Sequence, residues 1–151
     1  MKMEERTIKE LEKKIKEEGN LHIFSYKGII GLIMRPHLVK KIYDDWKRKL
    51  IHWCGYALIP AETPLGKWIL ENKDKIEMEV KVHGGITLIE EEDGIVWIGF
   101  DTAHWGDISF LGDTHAYATY KDKEYVLSET KKLIDEILRL YSGIKFVGGD
   151  A

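Results

Sequence analysis

Apolar residues recur along the chain with two different periods, and the switches between them mark out the predicted elements. In residues 3–18, Ile8, Leu11 and Ile15 fall three or four apart among Glu and Lys residues that can pair one turn away, and Gly19-Asn20 supplies a stop, which predicts an amphipathic helix. Residues 21–26 alternate Leu21 and Ile23 with polar neighbours, and residues 28–35 form an Ile-rich apolar run that Pro36 ends, so both are read as strands. Residues 39–50 fit a short helix with Val39, Ile42, Tyr43 and Trp46 turned inward. Residues 51–59 look extended again, Pro60 and Pro64 mark a loop, and a short helix over residues 64–71 follows.

Further on, Ile76, Met78, Val80 and Val82 alternate strictly with Glu77, Glu79 and Lys81, which predicts a strand with one buried face and His83 on its polar face. Residues 86–89 and 95–100 flank the run from Glu90 to Gly94, and the Asp93-Gly94 pair is a hairpin signal. Beyond Phe100 the pattern loosens into a Gly-rich, acidic loop over residues 101–113. From Asp122, an expected N-cap, the residues Val126, Thr130, Leu133, Ile137 and Leu140 step at helical spacing to Gly143. The expected fold is a single α+β domain over residues 1–151, a mostly antiparallel sheet covered by N- and C-terminal helices. Its parts are a helix in residues 1–19, mainly strands with short helices over residues 21–107, and a helix over residues 122–142. There is no internal repeat and no linker long enough to separate two domains.

Composition narrows the function classes. With 151 residues, 44% of them hydrophobic, five Trp and only three Pro, the chain can bury a core and is unlike a disordered segment. Its longest apolar run, residues 28–34, is far short of the roughly 20 residues of a membrane span, and the charged residues 1–18 lack the apolar region of a signal peptide, so a cytoplasmic protein without membrane contact is expected. Cys54 is the only cysteine, which excludes an intrachain disulfide, a Cys-rich zinc site and a CxxC redox pair. It reads as a small buried residue rather than a nucleophile. A net charge of −3, a pI near 6.1 and the lack of a nucleic-acid motif argue against general nucleic-acid binding.

Charge distribution says more than net charge. Residues 82–120 contain no Lys or Arg, yet hold Glu90, Glu91, Glu92, Asp93, Asp101, Asp107 and Asp113 together with His83, His104 and His115. That stretch attracts cations. Residues 35–50 instead carry Arg35, Lys40, Lys41, Lys47, Arg48 and Lys49 against Asp44 and Asp45, which suits either an anion or the solvated face of an ordinary helix.

Two segments at strand ends give way to glycine: His83-Gly84-Gly85-Ile86-Thr87 and the run from Gly99 to Asp107. If the hairpin pairs its strands, His83 and Asp101 reach one edge of the sheet, with His104 and Asp107 following in the loop. His83, Asp101, His104 and Asp107 are the ligand types that suit a divalent cation such as zinc, manganese or magnesium, although their spacing matches no established metal motif. Without a metal, the same residues serve as acid and base, His83 or His104 moving the proton and Asp101 or Asp107 fixing the ring tautomer. Gly84 and Gly85 would then open backbone amides to an oxyanion, Thr87 would bond a substrate oxygen, and Trp105 would stack a planar ligand. Trp97, inside a strand, reads as core, and His115 is an accessory candidate. The plainer reading is a glycine turn with His83 closing the strand and Asp101 bonding the amides that follow it.

The segments Trp53 to Pro60 (WCGYALIP), His83 to Thr87 (HGGIT) and Trp97 to Asp107 (WIGFDTAHWGD), with Tyr125-Val126, resemble a small family of phage and prophage proteins over residues 51–141. Asn at the position of Cys54 and Cys at that of Thr102 are common in that family, so neither residue is indispensable to a shared chemistry. The resemblance implies a viral origin and a place in the cytoplasm of an infected host. It brings no activity with it; by analogy with small phage proteins that counter host defence, a nucleotide signal is the ligand class it suggests. Together these readings favour a hydrolase for a small phosphorylated or nucleotide-like molecule, metal-assisted through His83, Asp101, His104 and Asp107, with Arg35 and its basic neighbours holding the phosphate. The alternative is a non-catalytic protein that sequesters a small nucleotide signal or inhibits a host protein. A third reading makes the His–Asp cluster a staple of the fold.

Overall fold

The computed structural model describes residues 5–36, 50–109 and 118–148. The helix expected over residues 39–50 falls, but for its last residue, outside the described residues, as do the basic side chains of residues 40–49, Asp113 and His115.

Helix α1 (Glu5–Glu18) ends at Gly19, whose φ of +76° is the left-handed conformation that closes a helix. Strands β1 (Leu21–Tyr26) and β2 (Ile29–Met34) then pair antiparallel through Lys27 and Gly28, both with positive φ, as a type I′ turn requires. Gly28, expected to begin a strand, is therefore the second residue of the turn. Strand β3 (Cys54–Pro60) lies beside β2. The hairpin read from Asp93-Gly94 is present, β4 (Leu88–Glu92) turning into β5 (Ile95–Asp101) with both turn residues again at positive φ. The five strands form one antiparallel sheet in the order β1-β2-β3-β5-β4.

Between β3 and β4 run two short helices. Helix α2 (Pro64–Glu71) occupies the predicted residues; Thr63 caps it by accepting the Gly66 amide at 3.0 Å, and Pro64 stands at the start of the helix, where its missing N–H costs nothing. Helix α3 (Lys73–Glu79) replaces the strand predicted over residues 76–82. The apolar alternation there was a coincidence of side-chain type: Ile76 and Val80, one helical turn apart, are buried, whereas Met78 is 74% exposed. The chain closes with α4 (Lys123–Gly148), which passes the stop expected at Gly143. Asp122 caps it as predicted, its carboxylate accepting the Tyr125 amide at 2.9 Å.

Strand alternation divides the sheet into two faces. On the first, Ile33, Ala57, Ile98 and Phe100 are buried against Val126, Leu133, Ile134 and Ile137 of α4 and Ile69 of α2. Gly55 belongs to this face because a β-carbon there would strike the Thr130 hydroxyl, so the glycine allows α4 to approach β3 closely. The second face presents Cys54, Tyr56, Leu88, Glu90, Trp97 and Asp101, which the strand pairing sets side by side. No helix among the described residues is long and apolar enough to cross a membrane.

Candidate functional site

A pocket of about 660 Å³ opens on the second face. Tyr56 and Trp97 form its aromatic wall, their rings meeting edge to face at 5.6 Å, and Tyr56 leans over Gly99, where a β-carbon would collide with its ring. Glu90, Glu92 and Asp101 contribute carboxylates, and Thr87, His52 and His104 further polar groups; no Lys or Arg is among the described lining residues. Cys54 also lines the pocket, but burial pushes its thiol up to about 12, which keeps it protonated and unreactive.

The four residues singled out as His–Asp candidates come together as two pairs. His83 sits in a turn closed by the Gly85 amide on the Val82 carbonyl rather than on a strand, and its main-chain N–H donates to Glu129 of α4. Its Nε2 lies 2.7 Å from Asp107 Oδ2 and its Nδ1 2.8 Å from the Tyr125 hydroxyl. Asp107 is nearly buried. Burial by itself raises its pKa, but hydrogen bonds from His83, Lys121 and the His104 amide outweigh that and hold the carboxyl below the usual carboxylate range. An ionised Asp107 accepts from His83 Nε2–H, and in the neutral ring this leaves Nδ1 to accept from Tyr125. Burial, with Glu129 and Asp107 nearby, raises the Tyr125 pKa and keeps that phenol a donor.

The second pair lines the pocket. His104 Nε2 is 3.2 Å from Asp101 Oδ1, within ion-pair range but off the line of a hydrogen bond, and it is buried without a hydrogen-bond partner. The other function of Asp101 Oδ1 is the one the plainer reading gave it, to accept the Ala103 amide at 3.0 Å. The two imidazoles stand 5.9 Å apart. Gly84 makes the approach possible, because a β-carbon there would collide with the His104 ring; Gly85, at φ +81°, has open space instead.

Several expectations change places. Trp97, read as core, lines the pocket, whereas Trp105, read as the stacking residue, is 82% exposed and lies outside it. Arg35, expected near a phosphate, is fully buried on the other side of β3's start. Its guanidinium stacks on Trp53 at 4.2 Å, pairs with Glu18 at 3.3 Å and donates to Tyr120 and to the carbonyls of Ile15, Gly19 and Ile51, so it closes α1 onto the sheet. Glu18 in turn accepts the first amide of α4, from Lys123, at 2.7 Å. Thr87 does line the pocket. His52, Tyr56, Glu90 and Glu92 were not singled out by spacing; the parity of β4 and β5, which sets Glu90 beside Trp97, is the signal that could have found Glu90 and Glu92.

Among the described residues no three His, Cys, Asp or Glu side chains are grouped to hold one ion. His83, the first expected metal ligand, has both ring nitrogens engaged within the protein. Comparison with known proteins finds no matching family model, no similar curated protein and no similar solved structure.

Proposed function

We propose that the protein is a hydrolase for a small nucleotide-like molecule, which would sit against Tyr56 and Trp97 while His104 and Asp101 supply acid–base chemistry. The observation that carries this reading is the pairing of Asp101 with His104 in the wall of the pocket, 3.2 Å apart and with Nε2 otherwise unpartnered. A small ring rotation would align the bond and let the carboxylate fix the tautomer of the imidazole. His83 and Asp107 act as positioning residues, because Asp107 binds the His83 ring and the His104 amide at once. A divalent ion remains the alternative source of an activated water, and it would have to displace Tyr125 or Asp107 from His83 to use that ring. Beside the carboxylates of Glu90, Glu92 and Asp101, a phosphorylated substrate would be held through its planar part rather than its phosphate. In the infected host that the phage resemblance implies, a nucleotide defence signal is the natural target.

The engagement of both His83 nitrogens favours a second reading, capture without turnover, since it leaves the pocket with one available imidazole of the pair. Incubation of the purified chain with nucleotides and cyclic nucleotides, with and without added divalent ions, followed by denaturation and analysis of what is released, separates the two. Altered ligand supports the hydrolase and unchanged ligand supports capture. For the hydrolase, Asp101→Asn and His104→Gln each lower turnover by roughly 10²- to 10⁴-fold with thermal unfolding unchanged; full activity in both variants would remove the assignment.

A further inference from the structure

Among the described residues, the charged lining of the pocket is entirely acidic. Glu90, Glu92 and Asp101 are acceptors when ionised, and no lining residue among those described carries a positive side chain to neutralise them. His52 adds an independent observation. It lines the pocket at only 5% exposure, and its Nδ1 has no hydrogen-bond partner. Burial lowers its pKa, which keeps the ring neutral, and in the tautomer protonated at Nε2 the unpartnered Nδ1 is a bare lone pair. An unpaired acceptor buried in a polar pocket is costly unless a ligand or water supplies the proton. Beside these acceptors stand the flat aromatic faces of Tyr56 and Trp97, which take the plane of a ring and attract positive charge.

We infer that this pocket binds a planar nitrogenous group rich in N–H donors, neutral amino-heterocycle or amidinium-like cation, with its ring on Trp97 and Tyr56 and its N–H groups on Asp101, Glu90 and His52 Nδ1. This deepens the proposed function and rests on the same pocket being its site: the part of the substrate recognised is an amino-bearing base, and its anionic part faces away from the carboxylates. Uncharged acceptors and anions of the same shape are disfavoured, because each sets a lone pair or negative charge against lone pairs already there.

Isothermal titration of the full chain tests this with benzamidine, benzamide and benzoate, three probes of one shape that differ in charge and donor count, and with adenine and inorganic phosphate. The expected order is benzamidine first, benzamide weaker, and benzoate weaker than benzamidine by about tenfold or more, with adenine binding and phosphate giving no heat. Glu90→Gln, on an exposed edge strand, and Asp101→Asn each weaken benzamidine by about tenfold. Benzoate or phosphate binding as tightly as benzamidine overturns the inference, as does the absence of binding by both benzamidine and adenine. The assay reads binding alone: benzamidine binding without any turnover removes the hydrolase and keeps this inference, and turnover of a phosphorylated substrate without benzamidine or adenine binding does the reverse.

Discussion

The imidazole of His104 occupies the space that a side chain at Gly84 would need. This contact joins the two Gly-rich segments, and it explains why the first of two adjacent glycines is tied to the site while the second is tied only to the turn. Both have positive φ, so alanine is strained at either position, but only at Gly84 does it also displace the ring.

Gly84→Ala is therefore expected to cost about 2 kcal/mol or more and to weaken any ligand of the pocket, whereas Gly85→Ala costs about 1 kcal/mol from backbone strain alone. Urea unfolding of the two variants side by side checks this. Equal losses would mean that the ring moves aside freely and that the contact has no energetic weight.

Arg35 is expected to matter for stability and not through contact with a ligand. Removing it as Arg35→Met leaves Glu18 without its cation in a largely buried setting, a loss of about 3–5 kcal/mol, and the double change with Glu18→Gln recovers part of it. Arg35→Lys does not substitute, because one ammonium cannot stack on Trp53 and reach Glu18, Tyr120 and three carbonyls together. A lysine variant as stable as the parent chain in chemical denaturation would refute this account.

The buried His52 gives stability a specific pH dependence. Its folded pKa is depressed by burial, while in the unfolded chain it titrates near about 6.5, so the unfolded state binds the proton first as the solution is acidified. Its contribution is complete above about pH 6.5 and is lost as the pH falls from there toward the lower folded value. The urea midpoint should decline over that interval in the parent chain and decline less in His52→Gln. Parallel curves for the two proteins would show that His52 is not the group responsible.

The segment around Ile76 shows what a pattern of residue types leaves undecided. Ile76, Met78, Val80 and Val82 satisfy a period of two, and Ile76 with Val80 also satisfies a helical turn; periodicity over so few residues fits both. Packing decides between them, since α3 buries Ile76 against the core and leaves Met78 outside. Ile76→Ala should then cost about 2–5 kcal/mol, while Met78→Lys stays within about 0.5 kcal/mol of the parent. A large loss for Met78→Lys in thermal unfolding would restore the strand.

Where local chemistry is strong, the chain was legible. Asp93-Gly94 announces a turn with two positive φ angles, and Asp122 caps α4 in the expected place. The meeting of His83, Asp101, His104 and Asp107 followed from the hairpin and from two glycine-containing segments at strand ends, but which residue pairs with which depends on the path of the loop, about which spacing is silent. Thus His83 pairs with Asp107, not Asp101. Tyr125 and Glu129 complete that cluster from 42 and 46 positions beyond His83, and Lys121 joins it through Asp107; of the three, only Tyr125 stands in a segment that the sequence singled out, and no spacing ties it to His83. The exchange of roles between Trp97 and Trp105 has a simple origin. A tryptophan in a strand reads as core by default, and only the parity of β5, with Ile98 and Phe100 inward, turns Trp97 to the pocket.

The two edges of the sheet are unlike. At one end, β4 carries Glu90, Glu91 and Glu92 in succession, all exposed; at the other, β1 reads LHIFSY and holds no acidic residue. A second copy approaching β4 with its own β4 would bring carboxylates against carboxylates, which water and charge repulsion resist. Two copies meeting through β1 would make a sheet twice as wide whose outer strands are both β4, and further growth through those acidic edges would be opposed. Self-assembly by edge pairing is thus biased to stop at a pair instead of lengthening into a fibre.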